Sequence, residues 1–193
     1  SGIGNICSYV LQDGKSLTLS DYDHKYVSLL REKFNAFPNA KGIIELDLTS
    51  IAFKKEFVSL AGTFDTIFLL NVLEHIVNDE EAVTNLQYLL KPGGKLIILV
   101  PSYSFLYSDM DRLLGHYRRY SIINLKQVIK KNELLVSRTF HFNALGIAGW
   151  LWNKLFKQAE FTKGKMNLFN KLVPVGKIID KLLLNKVGLS III

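Results

Sequence analysis

Apolar positions fall along this chain in two rhythms: short unbroken runs, and stretches that recur every three to four residues. The clearest runs are Thr66–Leu70 and Lys95–Val100, rich in β-branched residues and leucine. Such runs suit strands buried on both faces of a parallel sheet. Between them Asn78-Asp79-Glu80-Glu81 reads as a helix start, with Asn78 as cap and Glu81 reaching back, and the helix runs to Leu90. Lys91-Pro92-Gly93-Gly94 closes it as a turn. Asn71, Glu74 and His75 then stand just past the carboxyl end of the first strand, the edge where open α/β sheets bind ligands.

The flanking sequence continues the alternation. Ile6–Leu11 reads as a short helix ended by Gly14, Leu17–Ser20 as a strand, His24–Phe34 as a helix and Gly42–Leu46 as a third strand. Downstream, Ser121 caps a helix through Lys131, Leu134–Phe142 is a strand, and Asn143–Phe156 is aromatic and helical. Met166–Leu184 has an apolar helical face that Pro174 is expected to break in two, opening the second piece. Leu189–Ile193 is the last strand. The fold class is α/β: a mostly parallel sheet with helices on both faces.

Composition narrows this to one core with an appendage, since the chain has 193 residues and 49% hydrophobic content. The core is expected over 1–142 and 187–193, with 143–186 as a basic amphipathic helical lid. The single cysteine, Cys7, is expected to be a buried thiol and excludes a disulfide framework or a multi-cysteine metal site. No other metal-ligand spacing is read. No secretory signal is visible and no apolar run reaches the ~18 residues of a bilayer span, so a cytoplasmic location is the expectation. The net charge of +7 is concentrated after residue 150, where eight lysines face Glu160 and Asp180. Trp150, Trp152 and Phe156 interleave there with Lys154 and Lys157. Residues 150–184 thus suit a lid alone, or a lid that also touches the inner face of a membrane peripherally.

Candidate chemistry sits at strand ends. Gly2-Ile3-Gly4 permits a tight turn bringing backbone N–H groups close to a ligand. Asp21 follows the next strand, where a carboxylate can accept both hydroxyls of a ribose; Asp23 is better placed to cap the helix. Asp47-Leu48 follows the third strand, as a ligand group or a turn. Together with Phe64-Asp65, Asn71-Val72-Leu73-Glu74-His75-Ile76 and Leu90-Lys91-Pro92-Gly93-Gly94-Lys95, these residues resemble class I S-adenosylmethionine-dependent methyltransferases over about residues 1–102. The resemblance implies a Rossmann-like fold of strand order 3-2-1-4-5-7-6 with strand seven antiparallel, and S-adenosylmethionine as cofactor. It implies that Gly2 and Gly4 approach the methionine moiety, Asp21 holds the ribose, Asp47 lies at the adenine with Leu48, and Asn71, with Val72, lines the methionine side. A nicotinamide-binding domain is disfavoured because Asn5, Ile6 and Cys7 stand where the spacing GxGxxG needs its last glycine. The family carries a further glycine and a central first strand ahead of the position of Ser1. A strand and a helix are therefore expected before Ser1, and without them two sheet edges would face a gap.

The segment after Val100 gathers polar and aromatic residues up to Gly115-His116-Tyr117-Arg118-Arg119-Tyr120-Ser121, too aromatic for a disordered loop. Tyr107, Asp111, His116, Tyr117, Arg118, Arg119 and His75 are the substrate-site candidates. His116 is read as a general base rather than a structural donor, and His75 chiefly as structural. The arginines either clamp a phosphate or carboxylate, or one of them pairs with Asp109 or Asp111 and pins the loop. Gly115–Ser121 resembles a methyltransferase branch found with glycosyltransferases of envelope polysaccharide and lipid-linked sugar pathways. The function read is methyl transfer to an oxygen or nitrogen of a small-molecule, saccharide or lipid-linked acceptor. The alternatives are a non-catalytic cofactor-binding module and a nucleic-acid methyltransferase. Against the last, Asn71-Val72-Leu73-Glu74 is not an Asn-Pro-Pro-Tyr-type segment.

Overall fold

The structure, a computed structural model, describes residues 1–155 and 163–193. Two compact units divide the chain, Ser1–Phe57 and Val58–Ile193.

The first unit runs α1 (Asn5–Gln12), β1 (Leu17–Asp21), α2 (His24–Phe34), β2 (Ala40–Glu45) and the single turn α3 (Phe53–Glu56). β1 and β2 pair in parallel, with Leu19 opposite Ile43. α2 is the crossover, and Asp23 caps it by accepting from the Lys25 N–H at 2.8 Å. Leu11, Leu19, Leu30 and Phe34 form its core, with the half-buried Cys7 packed against them. Gly4 closes this core with φ +74, and a Cβ built there would lie 2.4 Å from Phe34 Cε2 and 2.9 Å from Leu30 Cδ2. Phe34 is 1% exposed and has nowhere to move. Gly4→Ala should therefore destabilise the protein by about 2–4 kcal/mol, combining left-handed backbone strain with overpacking. The urea midpoint measures this, and an unchanged midpoint would show that the ring can give way.

The second unit runs β3 (Phe64–Leu70), α4 (Asp79–Leu89), β4 (Leu90–Pro101), α5 (Asp109–Leu113), α6 (Ile122–Lys131), β5 (Phe140–Phe142), α7 (Ala144–Leu155), α8 (Lys163–Leu182) and β6 (Ser190–Ile192). Its sheet has the order β3-β4-β6-β5, with β3 and β4 parallel and β6 antiparallel to both its neighbours. Within each sheet the strand neighbours are those that the resemblance implies.

Three elements differ from expectation. β4 begins at Leu90: Phe64 pairs with Leu90 and Thr66 with Lys95, so Lys91–Gly94 is an irregularity within a strand, with Gly93 at φ +76. The strand expected over 134–142 is only Phe140–Phe142, because β6 offers it just that register and Leu135 is left fully open to solvent. Pro174 lies inside one continuous helix, α8. The lost backbone bond is tolerated because α8 is held elsewhere: Asp180 accepts the N–H groups of Asn143 and Ala144 at 2.8 Å each, capping α7. Phe156 and Lys157 lie outside the described residues. Among the described residues no helix is long and apolar enough to cross a membrane.

Candidate active site

In the second unit the chemistry collects where β3 and β4 end. The chain leaves β3 at Leu70, and Asn71 takes a positive φ of 52° while its N–H donates to the Leu99 carbonyl at 2.9 Å. Val72 follows, and the single turn Leu73–His75 then buries Glu74 completely and leaves His75 exposed. After β4, the segment from Ser102 loops out and returns beside the strand end: Tyr103 N–H donates to the Tyr120 carbonyl, and Tyr120 N–H to that of Pro101, each at 2.9 Å. Tyr117 N–H donates to the Glu74 carbonyl at 2.8 Å, so residues some forty positions apart meet.

Asp111 is the hub of this loop. It sits in α5 within a capping box, its Oδ2 accepting from Ser108 N–H at 2.9 Å and Ser108 Oγ at 3.3 Å. Its Oδ1 accepts from Arg119 Nε at 2.8 Å and His116 Nδ1 at 2.9 Å. Burial pushes the carboxyl up, but His116 and Arg119 outweigh it and hold Asp111 below the usual carboxylate range. An ionised carboxylate only accepts, so His116 donates to it from Nδ1, and Nε2 is the ring nitrogen that faces away from Asp111. His116 is further fixed at its carbonyl, which accepts from Tyr107 Oη at 2.7 Å.

Burial lowers the Arg119 guanidinium, which Asp111 opposes; it also donates to the Ser102 carbonyl at 3.2 Å and lies 4.2 Å from the Trp150 ring centre. Arg118 donates to Asp79 Oδ2 at 2.9 Å and the Val77 carbonyl at 2.7 Å. Of the two readings of the arginines, a ligand clamp or a pin for the loop, the Arg119–Asp111 pair is the contact that the second one names. Arg119 is 4% exposed, and its bonds to the Asp111 carboxylate and the Ser102 carbonyl, under the Trp150 indole, tie the loop together. Tyr120 Oη donates to Asp79 Oδ2 at 2.8 Å, and its burial raises its pKa. Tyr117 is exposed.

His75 and His116 meet edge to face with ring centres 4.7 Å apart, and His75 Nδ1 is 3.2 Å from the Gly115 carbonyl. Burial and the neighbouring His116 lower the pKa of His75. Beside them, Glu74 has both carboxylate oxygens buried with no hydrogen-bond partner from another residue, and burial pushes its carboxyl up to about 7 against the pull of its own backbone N–H, His116 and Arg119. In the sequence Glu74 stands out only as part of the Asn71–Ile76 motif. The signal available was a carboxylate wedged between the buried Leu73 and a histidine, straight after an apolar strand.

In the first unit, Asp21 ends β1. Its Oδ2 accepts from Gly2 N–H at 2.8 Å and its Oδ1 from Asp23 N–H at 3.1 Å. Burial raises this carboxyl, but those donors prevail and lower its pKa. Gly2 has φ +53, and a Cβ there would meet no atom within 4 Å. Asp47 is exposed and its Oδ1 accepts from Thr49 N–H at 2.8 Å and Oγ1 at 2.7 Å, the bonds of a turn. Leu48 is buried.

Parallel strands with a crossover helix, an acidic residue after β1 and a polar cluster after β3 and β4 define a Rossmann-like α/β fold of the methyltransferase class. Residues 1–98 match the family model described as a methyltransferase domain, and the chain belongs to that family. A SAM dependent methyltransferase from Archaeoglobus fulgidus superposes with a TM-score of 0.60 at 15% identity, over 99% of this chain and 80% of that one. The CurJ carbon methyltransferase gives 0.54 at 19% identity over 68% of this chain, and the trans-methyltransferase CalH, in complex with SAH, 0.54 at 18% over 68%. The chain spans 39% and 42% of those two proteins. Lovastatin diketide synthase lovF of Aspergillus terreus is 30% identical over 80 residues, which are 42% of this chain and 3% of that protein. The family expected from the strand-end motifs is thus the one found.

Proposed function

We propose that this chain transfers the methyl group of S-adenosylmethionine to a hydroxyl oxygen of a small hydroxylated molecule, a saccharide or a lipid-linked sugar. One observation favours a hydroxyl over an amine: His116 Nδ1 is bonded to the buried Asp111, which leaves Nε2, facing away from it, as the nitrogen that can take a proton. A hydroxyl acceptor needs that help and an amine does not.

The residues present suit the cofactor. Asp21 offers a carboxylate, which a ribose diol requires, and Oδ1 keeps acceptor capacity beyond the Asp23 N–H. The open space over Gly2 lies next to it. Gly4 is required by its packing on Phe34, so its part in binding is through its backbone. Asn71 and Val72, after β3, remain the residues that the family resemblance assigns to the methionine side. When bound, S-adenosylmethionine supplies an electrophilic sulfonium methyl. The chain's own residues then align the acceptor, exclude water and take its proton; orientation alone can supply ~7–11 kcal/mol.

The test is formation of S-adenosylhomocysteine from S-adenosylmethionine with a panel of hydroxylated acceptors, glycolipids included. Product dependent on a hydroxylated acceptor supports the reading. Tight cofactor binding without product from any of them would favour a non-catalytic module instead.

A lipid-linked acceptor is supported by α7 and α8, where Trp152, Leu155, Val175, Ile178 and Leu182 are exposed among the exposed Lys154, Lys171, Lys177 and Lys181. Co-sedimentation with liposomes should require acidic lipid and weaken with salt. Neutralising Lys177 and Lys181 together should weaken it further, by about 1 kcal/mol per lysine near the surface. Sedimentation indifferent to salt and lipid charge would leave these helices as a lid only.

A further inference from the structure

Glu74 stands apart from every other buried carboxylate described. Asp111 and Asp79 have donors at their oxygens, whereas Glu74 is 0% exposed with neither oxygen partnered. Buried polar side chains are nearly always satisfied, so this carboxylate calls for an occupant. Beside it lie two imidazoles: ligand-capable atoms of Glu74, His75 and His116 are all within 4.8 Å of one another.

The second ring nitrogens show how the imidazoles are set. His116 Nδ1 faces the carboxylate of Asp111 at 2.9 Å and His75 Nδ1 faces the carbonyl of Gly115 at 3.2 Å. Both partners only accept, so both rings carry their proton on Nδ1 and present a bare Nε2. Donation of the far N–H to a carboxylate or backbone carbonyl is the arrangement that orients histidines as metal ligands. Asp111 is itself held by Arg119 and Ser108, which makes the outer layer rigid. Of the local charges, Glu74 and Asp111 are acidic, and Arg119 is bonded to Asp111 alone.

We propose that Glu74, His75 and His116 form a binding site for a divalent transition-metal cation of the zinc type. Two neutral imidazoles and one carboxylate suit a cation of borderline softness rather than calcium or magnesium. Three protein ligands leave a coordination position open on the side of the exposed His75. The site rests on the reading of an oxygen acceptor and deepens it. A hydroxyl coordinated there would be acidified by the cation and would give its proton to solvent water, with His116 serving as a ligand instead of taking that proton, while the oxygen gains the methyl group and the S–CH3 bond of the sulfonium breaks. No ligand pattern in the sequence announces it, since Glu74-His75 and His116 come from different loops.

The experiment uses the full chain, stripped with a chelator and titrated with Zn²⁺ by calorimetry and with Co²⁺ followed by its visible absorption. Binding of one ion per chain is expected, with a cobalt spectrum typical of mixed nitrogen and oxygen ligation. His75→Ala and the isosteric Glu74→Gln should each weaken binding by at least the ~10–100-fold typical of lesser, outer-layer changes. His24→Ala removes the exposed His24–Glu45 pair, a surface trap for metal, and should change nothing. Circular dichroism of each variant separates lost ligation from lost fold. Binding that survives His75→Ala and Glu74→Gln, or that vanishes with His24→Ala, would overturn the proposal, as would no binding by the folded protein. Metal binding is measured without cofactor or acceptor. A metal-binding chain that transfers no methyl group would sink the methyltransferase reading alone, and a methyltransferase that binds no metal would sink this one alone.

Discussion

His116→Gln is expected to lower turnover by a factor of ~10²–10⁴ with the affinity for S-adenosylmethionine unchanged. Glutamine keeps much of the imidazole's volume and can still donate to Asp111, so the loop it belongs to should hold. What it loses is a basic nitrogen facing away from Asp111. Whether that nitrogen takes the acceptor's proton or holds a cation that does the acidifying, chemistry suffers and cofactor binding does not. The measurement is kcat beside calorimetric cofactor affinity and melting temperature for the same preparation. A parallel fall in all three would mark His116 as a structural residue. An undiminished kcat would remove it from the reaction and with it the argument for a hydroxyl acceptor.

Asp21→Ala should weaken S-adenosylmethionine binding by about 3–6 kcal/mol, since the ribose diol loses two charge-assisted hydrogen bonds of ~1.5–3 kcal/mol each. That is a drop of roughly 10²–10⁴-fold in affinity. Part of the effect passes through Gly2, whose N–H donates to Asp21 and which loses its anchor. Asp21→Asn separates the contributions: the amide oxygen can still accept from Gly2, while the charge is gone. Its affinity should fall between those of the wild type and the alanine variant. Calorimetry reads all three, and unchanged affinity in a folded Asp21→Ala protein would take Asp21 out of the cofactor site.

The parts of this molecule that were legible in the sequence are those set by local chemistry. The apolar run at Thr66–Leu70, the cap at Asn78 and the cap at Asp23 each describe an element through its own residues, and each appears where expected. Residues 134–142 were misjudged because a strand exists only where a partner pairs with it, and β6 pairs with three residues. Pro174 was misjudged because its cost is local while the contacts that hold α8, through Asp180, lie at the other end of the helix.

The candidate site divides in the same way. The residue types after β3 and β4 were visible as a concentration of His, Arg, Tyr and Asp, but their pairing was not. Arg118 and Arg119 are adjacent in sequence and face different acids, Asp79 and Asp111. Their separation depends on a loop closed by Ser102 pairing with Tyr120. Glu74 was inconspicuous because its distinguishing property, complete burial without a partner, belongs to packing and not to its neighbours in the chain.

The most direct test of the account is to run the reaction with S-adenosylmethionine carrying a carbon-13 methyl group and to read the labelled product by NMR. The chemical shift of that methyl distinguishes attachment to oxygen, nitrogen and carbon. The account predicts a single O-methyl signal on a hydroxylated acceptor, lost in His116→Gln. A labelled methyl on carbon or nitrogen, or one that forms equally well without His116, would contradict it.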